Sequence, residues 1–256
     1  MALARITRYP VKSLQGEVLQ TASVEADGLQ GDRQFGIRDE TTGRVLTARR
    51  APELLFASAS LSADGEPVIT LPDGAVLHGV GETTDAALSA WLGKPVRLVR
   101  AAEIPPARAE FFEDPTDDSS TAIEWTMPQG RFVDAAPLLV LTSASLRRGA
   151  ELYPDGDWQV RRFRPNLFLD LDDDGWLEDG WCGTTSLRIG SAELAPQQPC
   201  IRCTMVTRPQ PEIGEDRDIF RTLARHHNGH FGAWTAVTTG GTITTGDDVQ
   251  LASRPS

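Results

Sequence analysis

The chain has 256 residues, 40% of them hydrophobic and 24% charged, enough to bury one large core or two small ones. Its net charge of −11 excludes general nucleic-acid binding, which needs a basic surface, and no apolar run approaches the roughly 20 residues that span a bilayer. Three cysteines, one odd, fit no paired disulfide framework, and the first residues lack a signal peptide's apolar stretch, so the expected setting is a reducing cytoplasm, away from membranes.

In chain order, short strands come first: Ala4 to Tyr9, Glu17 to Glu25, Gln34 to Arg38 and Arg44 to Ala48, punctuated by Gly28, Gly31-Asp32 and the Asp39–Gly43 turn. Pro67 to Leu71 and Val96 to Val99 continue the series. Between them Leu88, Trp91 and Leu92 mark a helix capped by Thr83 or Thr84 and stopped by Gly93 and Pro95. Residues Ala102 to Thr126 lack periodicity and carry an acidic run, Glu110 to Ser120, which reads as a linker or long surface loop. A domain boundary is therefore expected near residue 122, giving units 1–122 and 123–256. In the second, strands are expected at Leu138–Leu141, Leu167–Asp170, Leu187–Ile189, Ile201–Val206 and Ala233–Val237, with helices at Ser143–Leu152 and Asp218–His226. Many short strands and few helices predict a mainly β (α+β) fold of barrel or sandwich type.

Chemistry-bearing residues fall into two groups. Cys200-Ile-Arg-Cys203 is compatible with a redox dithiol, half a zinc site, or two buried cysteines acting as small hydrophobes. The β-rich stretch after it, followed by Pro209 and Pro211, does not open the helix of a thioredoxin-like motif, and zinc would need Cys182 and a histidine as well. Arg202, between the cysteines, could favour a thiolate. The second group is basic. Lys12 and Lys94 are the only lysines, so positive sites are built mostly from guanidinium forks, which suit phosphate and carboxylate. Lys12-Ser13, Arg33, Arg49 and the run Arg161-Arg-Phe-Arg164-Pro-Asn166 sit beside glycines and strand ends, where backbone amides can join in holding an anion. Together they suggest a polyanionic ligand.

Two other motifs read as structural. Asp170-x-Asp172-x-Asp174-Gly175 begins like a calcium loop, but Trp181 stands where the bidentate glutamate belongs, so a hairpin turn with an acidic tip is expected. His226-His227-Asn228-Gly229-His230 sits at a helix end, where the dipole favours histidine.

Tyr9-Pro-Val-Lys-Ser13, Gly28-Leu-Gln-Gly-Asp-Arg33 and Leu46-Thr-Ala-Arg49 resemble the N-terminal β-barrel domain that accompanies MOSC domains. Phe132-Val-Asp134, Pro137 to Leu146, Arg162-Phe-Arg-Pro-Asn166, Glu178 to Trp181, Ile189-Gly190, Pro199-Cys-Ile-Arg-Cys203 and the closing Phe231-Gly, Gly241-Thr-Ile and Gly246-Asp247 resemble the MOSC domain itself. The resemblance covers nearly the whole chain and extends to the amidoxime-reducing component family. It implies two packed β-barrel-like domains with a molybdenum–molybdopterin cofactor in the cleft between them. It implies that Cys203, not Cys200, ligates molybdenum and is the catalytic residue. Lys12, Ser13, Arg33, Arg164 and Asn166 are implied to hold the pterin and its phosphate, with Arg49, Asp134 and Arg202 nearby. Ser143 joins the cofactor-binding set, although it and Thr142 could equally cap a helix.

The implied activity is reduction of small N-hydroxylated compounds or N-oxides, without pyridoxal phosphate. With no appended iron–sulfur domain expected, electrons would come from a separate flavin, haem or iron–sulfur protein. A cofactor-delivery protein, a Cys203 persulfide carrier and a Cys200–Cys203 dithiol module are the competing readings. After Cys203 the run Thr204-Met-Val-Thr-Arg-Pro departs from the Asp-containing turn often found in relatives, so the substrate-side loop is expected to differ.

Overall fold

In the computed structural model, which describes residues 1–113 and 120–254, eight strands form one sheet in the order 249–253, 185–189, 192–201, 230–239, 138–142, 167–170, 2–8 and 17–19. Neighbours are antiparallel except 138–142 and 167–170, joined by a crossover that contains helix Ser143–Leu152. The sheet curls until its two ends meet. Ala2 bridges Asp248, Leu3 N–H donates to Asp247 O at 2.9 Å and Val249 N–H to Met1 O at 3.0 Å. Leu3, Ile6, Leu138, Val140, Leu167, Leu169, Leu187, Ile189 and Leu194 alternate inward and fill the interior. The fold is thus mainly β with few helices, as expected.

The first half adds a second core. Strand Phe35–Asp39 pairs with Val96–Arg100, and Ser58–Leu61, Pro67–Thr70 and Val76–His78 form a three-stranded sheet; Val11, Leu14, Phe35, Ile37, Leu54 and Leu88 pack between them. Helix Glu82–Leu92 closes this core, but Gly81 precedes it and no side chain caps it: Thr84 Oγ1 donates back to Gly79 O instead, and Glu82 and Asp85 face the dipole.

Four other expectations change. The run 17–25 breaks into strands 17–19 and 21–25, which have different partners: the first pairs with Ile6, Thr7 and Arg8 of the barrel's first strand, the second with Gly241–Thr244. Arg44–Ala48 makes only one bridge, Val45 with Arg38, before turning at Thr47, whose carbonyl accepts from Arg50 and Ala51. The expected 102–126 linker is largely a ribbon: Arg108–Phe112 pairs with Ala122–Thr126, and Arg44 pairs with Glu110 and Glu124. The acidic stretch 114–119 lies outside the described residues. Finally, 170–175 is no hairpin. Strand 167–170 leads into helix Leu177–Trp181, and Arg147 ties down the acidic link through Leu171 O and Asp173 O.

Helix Ser143–Leu152 begins with Thr142 as its cap, the Thr142 hydroxyl accepting from Ser145 N–H at 3.1 Å. Helix Arg217–His227 ends on left-handed Asn228, and Ile219, Phe220 and Leu223 pack on Phe231 and Trp158. Among the described residues, no helix is long and apolar enough to cross a membrane.

Candidate functional site

Strand 2–8 ends at Tyr9-Pro10, and Pro10 has no N–H to continue the ladder. The chain turns instead: Phe35 N–H donates to Pro10 O and Lys12 N–H to Phe35 O, while Ser13 takes φ 71°. The loop after Gly28 packs alongside, with Arg33 N–H donating to Tyr9 O at 2.8 Å and Phe132 N–H to Arg33 O. Gly28 has φ 120°, and a β-carbon there would sit 2.8 Å from Pro137 O, so only glycine lets this loop approach the 133–139 segment. Ser13 Oγ accepts from Ala48 N–H at 3.0 Å and fixes the turn that carries Thr47 and Arg49.

The second half supplies the facing wall. Arg164 terminates the short helix Val160–Phe163 in left-handed conformation, φ 55° and ψ 46°. Strand 192–201 contains Pro196 and Pro199, and its register shifts beside each, which re-aims its end toward the first half. The strand stops at Ile201. The expected strand 201–206 is therefore absent: Cys203 is extended and precedes a 3₁₀ turn, Thr204–Thr207, closed by Thr207 Oγ1 donating to Thr204 O.

These segments enclose a cleft of about 130 Å³. Lys12, Ser13, Arg33, Arg49, Asp134, Arg164, Asn166, Arg202 and Cys203 all line it. Ser143 does not. Its hydroxyl exchanges hydrogen bonds with the backbone of Leu171, and Thr142 is spent on the helix cap, so both serve structure.

Charge is unevenly balanced here. Five cations, Lys12, Arg33, Arg49, Arg164 and Arg202, face two carboxylates, Asp32 and Asp134. Buried Lys12 donates from Nζ to Asp134 Oδ1 at 2.7 Å and to Phe132 O at 3.0 Å. Burial pushes its pKa down to about 8 despite Asp134. Burial acts to raise Asp134, but Arg49 and Lys12 outweigh it and hold the carboxyl well below its usual range. Arg49 donates to Asp134 Oδ2 at 3.0 Å and also faces the Cys203 sulfur; first Asp134 and then, against burial, Cys203 strengthen its hold on its proton. Arg164 is lowered to about 10, chiefly by burial and then by Arg33. The Arg164 and Arg33 guanidiniums both lie over the Tyr9 ring, at 4.2 and 4.9 Å from its centroid.

Three polar atoms on this lining are fully buried without a hydrogen-bond partner: Arg33 Nε, Arg164 Nη1 and Thr47 Oγ1. Asp32 Oδ2, the carboxylate oxygen paired with Arg33 Nε, is 3.7 Å away, too far to satisfy it. Buried donors are rarely left so, and their convergence marks a place for an anionic ligand. Backbone conformation agrees. Of five described non-glycine residues with positive φ, Ser13, Arg33 and Arg164 are on the cleft.

The cysteines divide. Cys203 is half-buried; Cys200 is buried, its Sγ accepting from Arg202 Nη1 at 3.2 Å, and burial raises its pKa against the pull of Arg202. Arg202 also donates to Phe163 O at 2.8 Å. It therefore serves Cys200, and the guanidinium facing Cys203 is Arg49. Asn166 is a brace, its amide accepting from Leu139 N–H and donating to Thr7 O. Cys182 is just past helix 177–181, its thiol donating to Glu178 O, and His227 stacks on Trp176 while pairing with Asp179 at 2.6 Å. Among the described residues no cluster of three or more His, Cys, Asp or Glu could hold a metal, so a metal, were one to bind at Cys203, would have to bring most of its own ligands. A dithiolene-bearing anionic cofactor meets that requirement, and the cleft's unpartnered cationic donors fit its phosphate.

Asp32, Thr47, Met205 and Trp234 also line the cleft, although the sequence assigned none of them to the site. Asp32 read as a turn residue, yet Oδ1 accepts from Tyr9 N–H at 2.6 Å. Thr47 and Met205 had signals, Thr47 lying two residues from Arg49 in a motif already singled out and Met205 in the substrate-side run after Cys203; Trp234 had none.

Comparison with known proteins gives concordant matches. A family model described as MOSC domain matches residues 128–250, and one described as MOSC N-terminal beta barrel domain matches residues 1–96. Mitochondrial amidoxime-reducing component 1 of Mus musculus is 27% identical over 98% of this chain and 82% of its own length. Molybdenum cofactor sulfurase of Danio rerio is 25% identical over 91% of this chain, which spans only 32% of that protein. The YUAD protein from Bacillus subtilis is similar in structure, with TM-score 0.49 and 12% identity, covering 99% of this chain and 96% of that one.

Proposed function

We propose, for a chain that belongs to the MOSC-domain family, a molybdenum-cofactor-dependent reductase of N-hydroxylated compounds or N-oxides, supplied with electrons by a separate protein. The observation that carries the reading is the meeting, in one cleft, of a half-buried Cys203 with buried polar atoms of Arg33, Arg164 and Thr47 that lack partners. Similarity to an amidoxime-reducing component over most of both chains supports it.

In this reading Arg33 and Arg164, with Lys12 and Ser13 beside them, hold the pterin's anionic end, and Cys203 gives its sulfur to molybdenum. When bound, the cofactor supplies a two-electron metal centre able to take oxygen from an N–O bond. The rest falls to the protein. Arg49, fixed by Asp134, keeps a permanent positive charge against the Cys203 sulfur. Lys12 Nζ, with its pKa near 8, still carries its proton at neutral pH and keeps Asp134 ionised. Net reduction of R–NH–OH consumes two electrons and two protons and releases R–NH₂ and water.

The test is molybdenum and pterin content of protein from a cofactor-producing host, wild type beside Cys203→Ser, followed by turnover of an N-hydroxylated amidine with a chemical reductant. Near-stoichiometric molybdenum, lost or loosened in the variant, together with turnover, is the expected result. A tightly held but unreactive cofactor would move the assignment to delivery. A persulfide mass increment on Cys203 without molybdenum would move it to sulfur transfer, a reading that the similarity to sulfurases keeps in view.

A further inference from the structure

The cleft lining has two parts of opposite character. One is the charged wall of Lys12, Arg33, Arg49 and Arg164. The other is apolar, and two of its residues, Ile201 and Met205, flank Cys203 in the sequence. Ile201 keeps 54% of its surface exposed although it lies in a strand and on the cleft lining. Met205, half-buried, lies in the 3₁₀ turn that follows the cysteine. Trp234 and Leu139 are direct cross-strand partners, half-buried on the outer face of the barrel while their neighbours Leu138 and Val140 fill the interior. Gln198, opposite Trp234 on the other side, is exposed. A large aliphatic side chain left half in water at a cleft mouth, with a tryptophan and a methionine on the same lining, forms a surface that gains by being covered. Methionine adapts its shape to what it covers.

Resting on the reductase reading above, we propose that Ile201, with Met205 and Trp234, is the specificity wall of this cleft and selects substrates with a flat apolar body attached to the N–O group over small hydrophilic ones. The charged wall is committed to the cofactor's anionic end, so the substrate's body is left with the apolar side. Ile201 contributes packing that a polar side chain cannot, and among the described residues no unpartnered buried polar atom on this side offers a hydrogen bond in exchange.

The experiment compares a phenyl-bearing amidoxime with its methyl counterpart on cofactor-loaded protein. Kinetics are measured for wild type, Ile201→Gln and the control Val18→Gln, whose position is also exposed, at 65%, but belongs to an edge strand outside the cleft lining. Binding of the unreactive phenyl and methyl amidines is titrated in parallel by tryptophan fluorescence and calorimetry. Ile201→Gln should raise KM for the phenyl substrate about five- to tenfold, leave its kcat within twofold and leave the methyl substrate unchanged, with a matching loss of phenyl-amidine affinity. Equal changes for both substrates, or none for either, would overturn the wall. If no substrate turns over but phenyl amidine still binds more tightly than methyl and loses that advantage in Ile201→Gln, the wall stands and the reductase reading falls.

Discussion

Replacing Asp134 by Asn keeps the side chain's size but removes the carboxylate shared by Lys12 and Arg49. The Lys12–Asp134 pair is 2.7 Å apart, which corresponds to about 6 kcal/mol at an effective dielectric of 20 and about 1.5 kcal/mol in bulk water. The Asp134 side chain is 43% exposed and that of Lys12 only 3%, so solvent screens one end of the pair and a net cost of about 2 kcal/mol is expected. Urea unfolding of cofactor-free protein at pH 7 measures it, for wild type, Asp134→Asn, Lys12→Met and the double variant. The double variant should recover at least about 1 kcal/mol of the summed single losses, because removing the lysine removes the charge left unpaired. Additivity within about 0.5 kcal/mol would refute the coupling. The pH dependence provides a second reading of the same site. Lys12 has a folded pKa of about 8, below its ordinary 10.5, so between these values the unfolded chain binds more protons. Stability should therefore rise with pH through that window, by up to roughly 3 kcal/mol from this group alone. Lys12→Met should lack that rise.

Cofactor-free protein should be stabilised by inorganic phosphate, about 1.4 kcal/mol at tenfold Kd and hence some 2–4 °C in Tm, and an Arg33→Gln/Arg164→Gln variant should lose the response; an undiminished shift would put the anion elsewhere. Arg202→Met should lower stability by about 1–3 kcal/mol, since it strips bonds from Cys200 and Phe163 O, while molybdenum content in folded protein stays near wild type; Arg49→Met should do the reverse. Gly28→Ala should cost about 2 kcal/mol or more in thermal or chemical unfolding because both φ 120° and the nearby Pro137 carbonyl oppose a β-carbon. A neutral Gly28→Ala would mean that the 133–139 segment can give way.

What the sequence made legible follows from where the information is local. Helix Ser143–Leu152 was readable because its cap and apolar spacing lie within its own residues, and the charged wall because Lys12, Arg33 and Arg164 each stand beside a glycine, proline or strand end. The ribbon 108–126 was not, because its strands are held partly by Arg44, more than 60 residues away. The division of labour between two arginines was also out of reach. The sequence placed Arg202 between the two cysteines without choosing either, whereas the fold turns it to Cys200 and brings Arg49 across to Cys203. Asp32 and Thr47 look like ordinary turn residues, and their burial is set by packing between halves that are distant in sequence.

The closure of the sheet by its first strand bears on how the molecule is made. Ala2 pairs with Asp170 and Asp248, so this segment waits for partners that lie far along the chain. Until then Leu3 and Ile6 have no barrel interior to enter, and the turn carrying Lys12 and Ser13, continuous with that strand, lacks Asn166 and Arg164 to hold it. Such long sequence separations slow folding and lengthen the life of incompletely paired strands. The anion-binding wall would thus assemble only once these distant partners are in place, and the cofactor would meet a folded cleft rather than guide a folding one.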